Sequence, residues 1–326
     1  MDVRDVLSLL PRPVQLMGGW GLVRRVRGGD GSPVRVLQVG GVYQSATYLE
    51  PARRMELVFS YYRAFDHVFS VRPDTWRVLM VGGGGYAWPK HVLATRSAGV
   101  TLDVVELDPA VTRAARRWFF LDEARDRWPG RLRLIEGDGR AFLEACALRI
   151  AGGAGDRASD GGDGGFGDGV TARVAGGPAG GPASGVTAGT VGAPASGSMP
   201  GATAGAAGGP ACDLRYDAIV LDAFAGAEPV RSLATVEAAR AARDCLVPDG
   251  VLAANVVSAG GGGDLSFLRD VVATLREAFA HVYVVLCDDD PFAAEDNYLV
   301  LATDGDWPVA DAISYDEDFL GSVLRD

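Results

Sequence analysis

Val78-Leu79-Met80-Val81-Gly82-Gly83-Gly84-Gly85-Tyr86-Ala87 decides how this chain is read. Four apolar residues in a row describe a strand covered on both faces, and the glycines that follow end it abruptly. The run fits G-x-G-x-x-A, with Pro89 suited to the first turn of a helix. Glycines between a strand and a helix let a ligand approach the backbone at the helix N-terminus. The same glycines also suit a tight packing turn, and the motif alone does not choose between the two.

Outward from this loop, strands and helices alternate. Strands are predicted at 77–81, 102–106, 132–135, 217–221 and 251–256. Helices are predicted between and after them at 89–97, 110–120, 140–148, 232–245 and 265–279. Apolar strands alternating with helices indicate a parallel sheet with helices on both faces. The runs 282–286 and 298–302 break the pattern, because only eleven residues separate them. A parallel crossover needs about a dozen or more residues, so the last strand is expected to be antiparallel. A parallel sheet with one antiparallel C-terminal strand is the pattern of AdoMet-dependent methyltransferases, not of a fully parallel dinucleotide-binding sheet.

Before the sheet, 14–17, 22–26 and 34–39 are short β-like runs, with the turn signal Gly28-Gly29-Asp30-Gly31 between the last two. Met55, Val58, Phe59, Tyr62 and Phe65 fall at spacings of three and four, which predicts a helix over 51–65. The expected organisation is an N-terminal β-hairpin unit plus helix over 1–70 and an α/β domain over 71–326. A tract over 151–211 interrupts the second domain. It holds 21 of the 45 glycines between Ala151 and Pro210, with one aromatic residue, Phe166. Such a composition cannot offset its ordering entropy by burial and is expected to be a disordered insertion.

Composition excludes several classes of function. The net charge of −11, from 31 basic and 42 acidic residues, opposes a phosphate-binding surface, so neither nucleic acid nor an anionic membrane is an expected partner. The four cysteines form no CxxC pair and the three histidines are scattered, which argues against a metal site or a disulfide framework. The first ten residues carry Asp2, Arg4 and Asp5, unlike a signal peptide, and no apolar run reaches the roughly eighteen residues of a membrane span. A cytoplasmic protein is expected.

Acidic residues recur where strands end. Glu106 lies 106 − 82 = 24 residues after Gly82, which suits a carboxylate accepting from ribose hydroxyls. Asp108 precedes Pro109 and suits a helix cap. Glu136-Gly137-Asp138-Gly139 follows the third strand, where Asp138 can accept from an adenine amine or cap the helix at Arg140. Asp222 closes the fourth strand at the edge where ligands bind, and is otherwise a turn residue.

With these residues in hand, the chain resembles the spermidine synthases (polyamine aminopropyltransferases). The resemblance rests on Gln44 after Gly40-Gly41, Val81-Gly-Gly-Gly, Val105-Glu106-Leu107-Asp108, Gly137-Asp138-Gly139 and Tyr216-Asp217-Ala-Ile-Val-Leu-Asp222. It implies that S-adenosylmethionine or its decarboxylated form is the co-substrate, against Gly82, Gly83, Gly84 and Gly139. It further implies that Glu106 holds the ribose, Asp138 the adenine and Gln44 the sulfur-bearing chain. Asp222 would help deprotonate an attacking amine of a small acceptor, without a metal, in a homodimer. Two departures mark a divergent branch. The family's loop reads G-G-G-D-G-G where this chain has Gly85, and its D-[ST]-x-D-P motif has a second carboxylate where this chain has Ala225. Aminopropyl transfer, methyl transfer to a small molecule, and nucleoside binding without catalysis are the functions left open. The run Asp288-Asp289-Asp290, at the same sheet edge, is either a compensating set of acids or a solvated turn.

Overall fold

The computed structural model describes residues 10–158, 215–225, 228–258, 263–287 and 296–326. The chain begins with an antiparallel meander of β1 (Arg12–Leu16), β2 (Gly19–Arg27), β3 (Pro33–Val39) and β4 (Val42–Tyr48). Gly40 and Gly41 join β3 to β4 with φ of 58° and 90°, and Val39 pairs with Val42 across them. Two positive φ values in a two-residue loop match the twist of a hairpin, and glycine reaches them without strain. β4 is a strand beyond the three β-like runs expected here.

The helix expected over 51–65 is absent as such. The segment instead forms 3-10 turns at Pro51–Arg53 and Ser60–Asp66 before the short helix α1 (His67–Val71). Leu57, Val58, Phe59 and Ser60 are all buried in succession, so burial here is all-round and not confined to one face. Tertiary packing of the aromatic side chains overrides the helical spacing.

The main sheet is built from β5 (Arg77–Val81), β6 (Thr101–Glu106), β7 (Leu132–Glu136), β8 (Tyr216–Leu221), β11 (Leu246–Val257), β12 (His281–Leu286), β13 (Asn297–Thr303) and the two-residue β14 (Ala312–Ile313). A small separate pair, β9 (Phe224–Ala225) and β10 (Glu228–Pro229), follows β8. The helices are α2 (Ala87–Thr95), α3 (Pro109–Trp118), α4 (Leu121–Arg127), α5 (Gly139–Ala158), α6 (Val236–Cys245) and α7 (Ser266–Arg276). Strand order is β14-β12-β13-β11-β8-β5-β6-β7. β5, β6, β7, β8 and β11 run parallel, and β13 lies antiparallel between β11 and β12. The fold is therefore the expected α/β sheet with an antiparallel strand near its end. β14 adds a second antiparallel edge beside β12.

Alternate residues of the central strands enter opposite layers, as a sheet covered on both faces requires. Val78, Met80, Ala218, Val220 and Ala253 join one core, which also takes in Leu16, Val34, Val36 and Leu37 of the N-terminal sheet. Leu79, Ile219 and Leu252 join the other, beneath α6 and α7. α4 was not expected from the sequence. α5 continues to Ala158, into the tract assigned to a disordered insertion, and the rest of that tract, 159–211, lies outside the described residues. The argument against disulfides is corrected at Cys146, which is disulfide-bonded, whereas Cys245 and Cys287 are buried thiols. Among the described residues, no helix is long and apolar enough to cross a membrane.

Candidate functional site

From β5 the chain proceeds outward to β6 and β7, then returns to place β8 on the other side of β5. A crevice opens at such a reversal, beyond the carboxyl ends of the two strands. Here it is a cavity of about 600 Å³. Gln44, Gly82, Gly84, Glu106, Asp138, Gly139 and Asp222 all line it. Gly83 lies behind that surface and reaches the site through its backbone.

The glycine loop is shaped by what stands against it. Gly82 has a φ of 96°, and a Cβ there would run into the backbone carbonyl of Asp222. The Asp222 N–H donates to the Val81 carbonyl at 2.9 Å, which holds the two strand ends together. A Cβ on Gly139 would strike the Val81 side chain. Gly85 donates its N–H to Ser45 Oγ at 2.8 Å, and a Cβ at Gly85 would overlap that oxygen. An aspartate at this position would have to displace the Ser45 side chain.

Glu106 is buried and closes the loop from the next strand. Its Oε2 accepts the N–H groups of Gly83 at 2.8 Å and Gly84 at 3.2 Å, and its Oε1 accepts the Asp108 N–H at 2.9 Å. Burial raises its pKa above the ordinary carboxylate value, outweighing the lowering by these three hydrogen bonds. Three of its four lone-pair sites are thus used, and Oε1, which accepts one hydrogen bond, keeps acceptor capacity for a ligand hydroxyl. Asp108 takes the capping place expected of it, with Oδ1 accepting the Ala110 N–H at 2.8 Å. Its Oδ2 accepts the Met17 N–H at 2.7 Å, which ties the β1–β2 turn to the cavity rim. Asp138 is exposed and caps α5, accepting the Ala141 N–H at 2.8 Å. It does this while lining the cavity, so the two readings of Asp138 are compatible.

At the far end, Asp222 stands beside Asn255 because Leu221 of β8 pairs with Ala254 of β11. Asn255 Nδ2 donates to Asp222 Oδ1 at 2.9 Å, and the Tyr61 hydroxyl donates to the same carboxylate. Asp222 is packed deep against protein yet open to the cavity, and burial pushes its pKa up to about 6. Gln44 is aimed by a β-bulge. Leu37 pairs with Ser45 and Gln38 with Tyr43, leaving Gln44 as the extra residue of β4.

Tyr61, Asn255 and Ser45 were not singled out in the sequence. Asn255 had a signal, as the one strongly polar side chain within the apolar run Val251–Val257. Tyr61 and Ser45 had none, since their roles depend on segments far away in sequence. The side chains of Ala225 and of Asp288-Asp289-Asp290 lie outside the described residues.

No family model matches the chain. Polyamine aminopropyltransferase of Vibrio vulnificus is 27% identical over 106 residues, which is 32% of this chain and 33% of that protein. The match thus spans a third of that relative's length. Among solved structures, a probable spermidine synthase from Corynebacterium glutamicum aligns with a TM-score of 0.57 at 17% identity, over 91% of this chain and 81% of that one. A spermidine synthase in complex with the transition-state analogue AdoDATO aligns with a TM-score of 0.53 at 16% identity, over 94% and 85%. The fold is spermidine-synthase-like.

Proposed function

We propose that the protein is an aminopropyltransferase-like enzyme, taking decarboxylated S-adenosylmethionine as donor and an amine as acceptor. One observation carries the reading. The cavity at the strand reversal is lined by four carboxylates, Glu106, Asp108, Asp138 and Asp222, and by no Lys, Arg or His among the described residues. That field suits a donor bearing a sulfonium and an ammonium, and it opposes the free carboxylate of S-adenosylmethionine itself. It also opposes the pyrophosphate of a dinucleotide.

In this reading Glu106 receives the ribose hydroxyls, Asp138 the adenine amine, and Gln44 the chain that carries sulfur. An alkylammonium has a pKa near ten and becomes a nucleophile only after giving up a proton. Asp222 takes that proton, in a position where two neutral donors hold its carboxylate in place. The freed nitrogen lone pair forms the new C–N bond as the C–S bond breaks, and the electron pair leaves with sulfur as a thioether. The AdoDATO complex of a protein with this fold is consistent with the assignment.

Calorimetry with methylthioadenosine, S-adenosylmethionine and NAD tests the donor site. Methylthioadenosine is expected to bind, and the wild type is expected to release it from decarboxylated S-adenosylmethionine when an amine is present. Binding of NAD without methylthioadenosine overturns the proposal.

A further inference from the structure

The amine end of the cavity has a charge pattern and a wall composition that narrow its occupant. Carboxylates only accept hydrogen bonds, so Asn255 must turn its amide nitrogen to Asp222, as the 2.9 Å contact shows. The amide carbonyl is left over. Asn255 is nine-tenths buried, and its Oδ1 has no partner among the described residues. A buried acceptor without a donor is rare and disfavoured, and a ligand N–H would relieve it. Asp222 and Asn255 together thus call for a group with more than one N–H, which a primary amine has and an alcohol or thiol lacks.

Among the described residues the wall around this pair is mostly apolar, its polar groups being the tyrosine hydroxyls and the uncharged amide of Asn297. Val230 is held next to Asp222 because its N–H donates to the Ala223 carbonyl at 3.2 Å. Val257 follows Asn255 on the same strand face, two residues on. Phe59 and Tyr62 complete the wall beside Tyr61. Their rings engage one another, with Tyr61 and Tyr62 stacked at 4.2 Å and Phe59 and Tyr62 at 6.1 Å between centroids. Stacked rings use their electron-rich faces on each other and turn electropositive edges outward, which does not favour a second cation.

We propose that the acceptor is a primary amine with one charged head, set against Asp222 and Asn255, and an apolar body against Phe59, Tyr62, Val230 and Val257. Naming it an acceptor rests on the transferase reading above; the recognition of the amine does not. In the reaction the ammonium head gives one proton to Asp222. Its lone pair then forms the C–N bond as the donor's C–S bond breaks, with the electron pair passing to sulfur. A diamine would carry a second ammonium against that wall, where the described residues offer no second carboxylate, and burying an unpaired charge is strongly unfavourable.

The test is calorimetry on the full chain with hexylamine, 2-phenylethylamine and 1,4-diaminobutane, each with and without methylthioadenosine. The monoamines are expected to bind at least about tenfold more tightly than the diamine, given the penalty for an unpaired buried charge. Asn255→Leu is expected to weaken amine binding more than methylthioadenosine binding, and Asp222→Asn to abolish amine binding. If either variant fails to fold, the ranking of the three amines on the wild type decides. Diamine binding as tight as that of the monoamines overturns the inference, and does so with the transferase reading intact when methylthioadenosine binds. Absence of binding by all three amines also overturns it. A preference for monoamines without any methylthioadenosine binding supports the amine site and removes the nucleoside donor instead.

Discussion

Gly85 and Ser45 are locked together, the glycine N–H donating to the serine Oγ at 2.8 Å with no space for a Cβ between them. The contact joins β4 to the glycine loop and makes residue 85 a packing position. Gly85→Asp is therefore expected to destabilise the protein by roughly 1–3 kcal/mol, as overpacked cores do. Ser45→Gly in the same chain is expected to recover part of the loss, because the overlapping oxygen is gone. Thermal melts of the single and double variants decide, and an unchanged melting temperature for Gly85→Asp would refute the packing explanation.

Glu106 presents two oxygens to three N–H groups. A glutamine there has one acceptor oxygen and must point its NH₂ at a backbone donor. Glu106→Gln is expected to lower both stability and methylthioadenosine affinity by roughly 1–3 kcal/mol each. Urea unfolding and calorimetry read the two separately. Affinity retained in a destabilised variant would confine Glu106 to holding the loop.

For Asp222, pH acts on turnover and on stability in opposite senses. As a base it must be ionised, so turnover is expected to fall as pH drops through about 6. Stability follows the other sign. The folded-state pKa is raised above the ordinary value of 3.8, so the folded protein keeps the proton longer than the unfolded chain. The contribution is fully present below about pH 4 and is lost as pH rises through about 6. Asp222→Asn should thus be more stable than wild type at pH 7.5, with the gap closing near pH 4. Unfolding curves at both pH values check this, and a gap that does not depend on pH would contradict it.

Lys90, the one lysine in the chain, is buried with its Nζ donating to the Phe119 carbonyl. Burial presses its pKa down to about 7 from the ordinary 10.5. Between those values the unfolded chain binds the proton and the folded protein does not, so stability rises with pH over that interval. Lys90→Met is expected to remove this rise. Urea midpoints at pH 7 and pH 9 for both proteins measure it, and an equal rise in the variant would assign it to other groups.

The order of strands and helices in the main sheet was legible from local pattern, and so was the reversal of its last long strand. Apolar runs the length of strands, a glycine loop after β5 and too short a connection before β13 are all signals carried by neighbouring residues. Acidic residues at strand ends were legible for the same reason. In a parallel sheet the ends of β5, β6, β7 and β8 lie on one edge, so Gly82, Glu106, Asp138 and Asp222 were bound to converge. The Asp108 cap needed only the proline after it.

Tertiary structure alone decided what those residues touch. The aromatic segment from Phe59 to Phe65 has the spacing of a helix, yet all-round burial makes it 3-10 turns and brings Tyr61 to Asp222. Gln44 reaches the cavity through a bulge that depends on the register between β3 and β4, and Asn255 meets Asp222 because β8 and β11 pair as they do. Ser45 and Gly85 are forty residues apart. Periodicity and turn chemistry act over a few residues, so they determine elements and where each one ends. Contacts between distant segments depend on register and on which side chains fill a shared volume, and these are settled only when the whole chain packs.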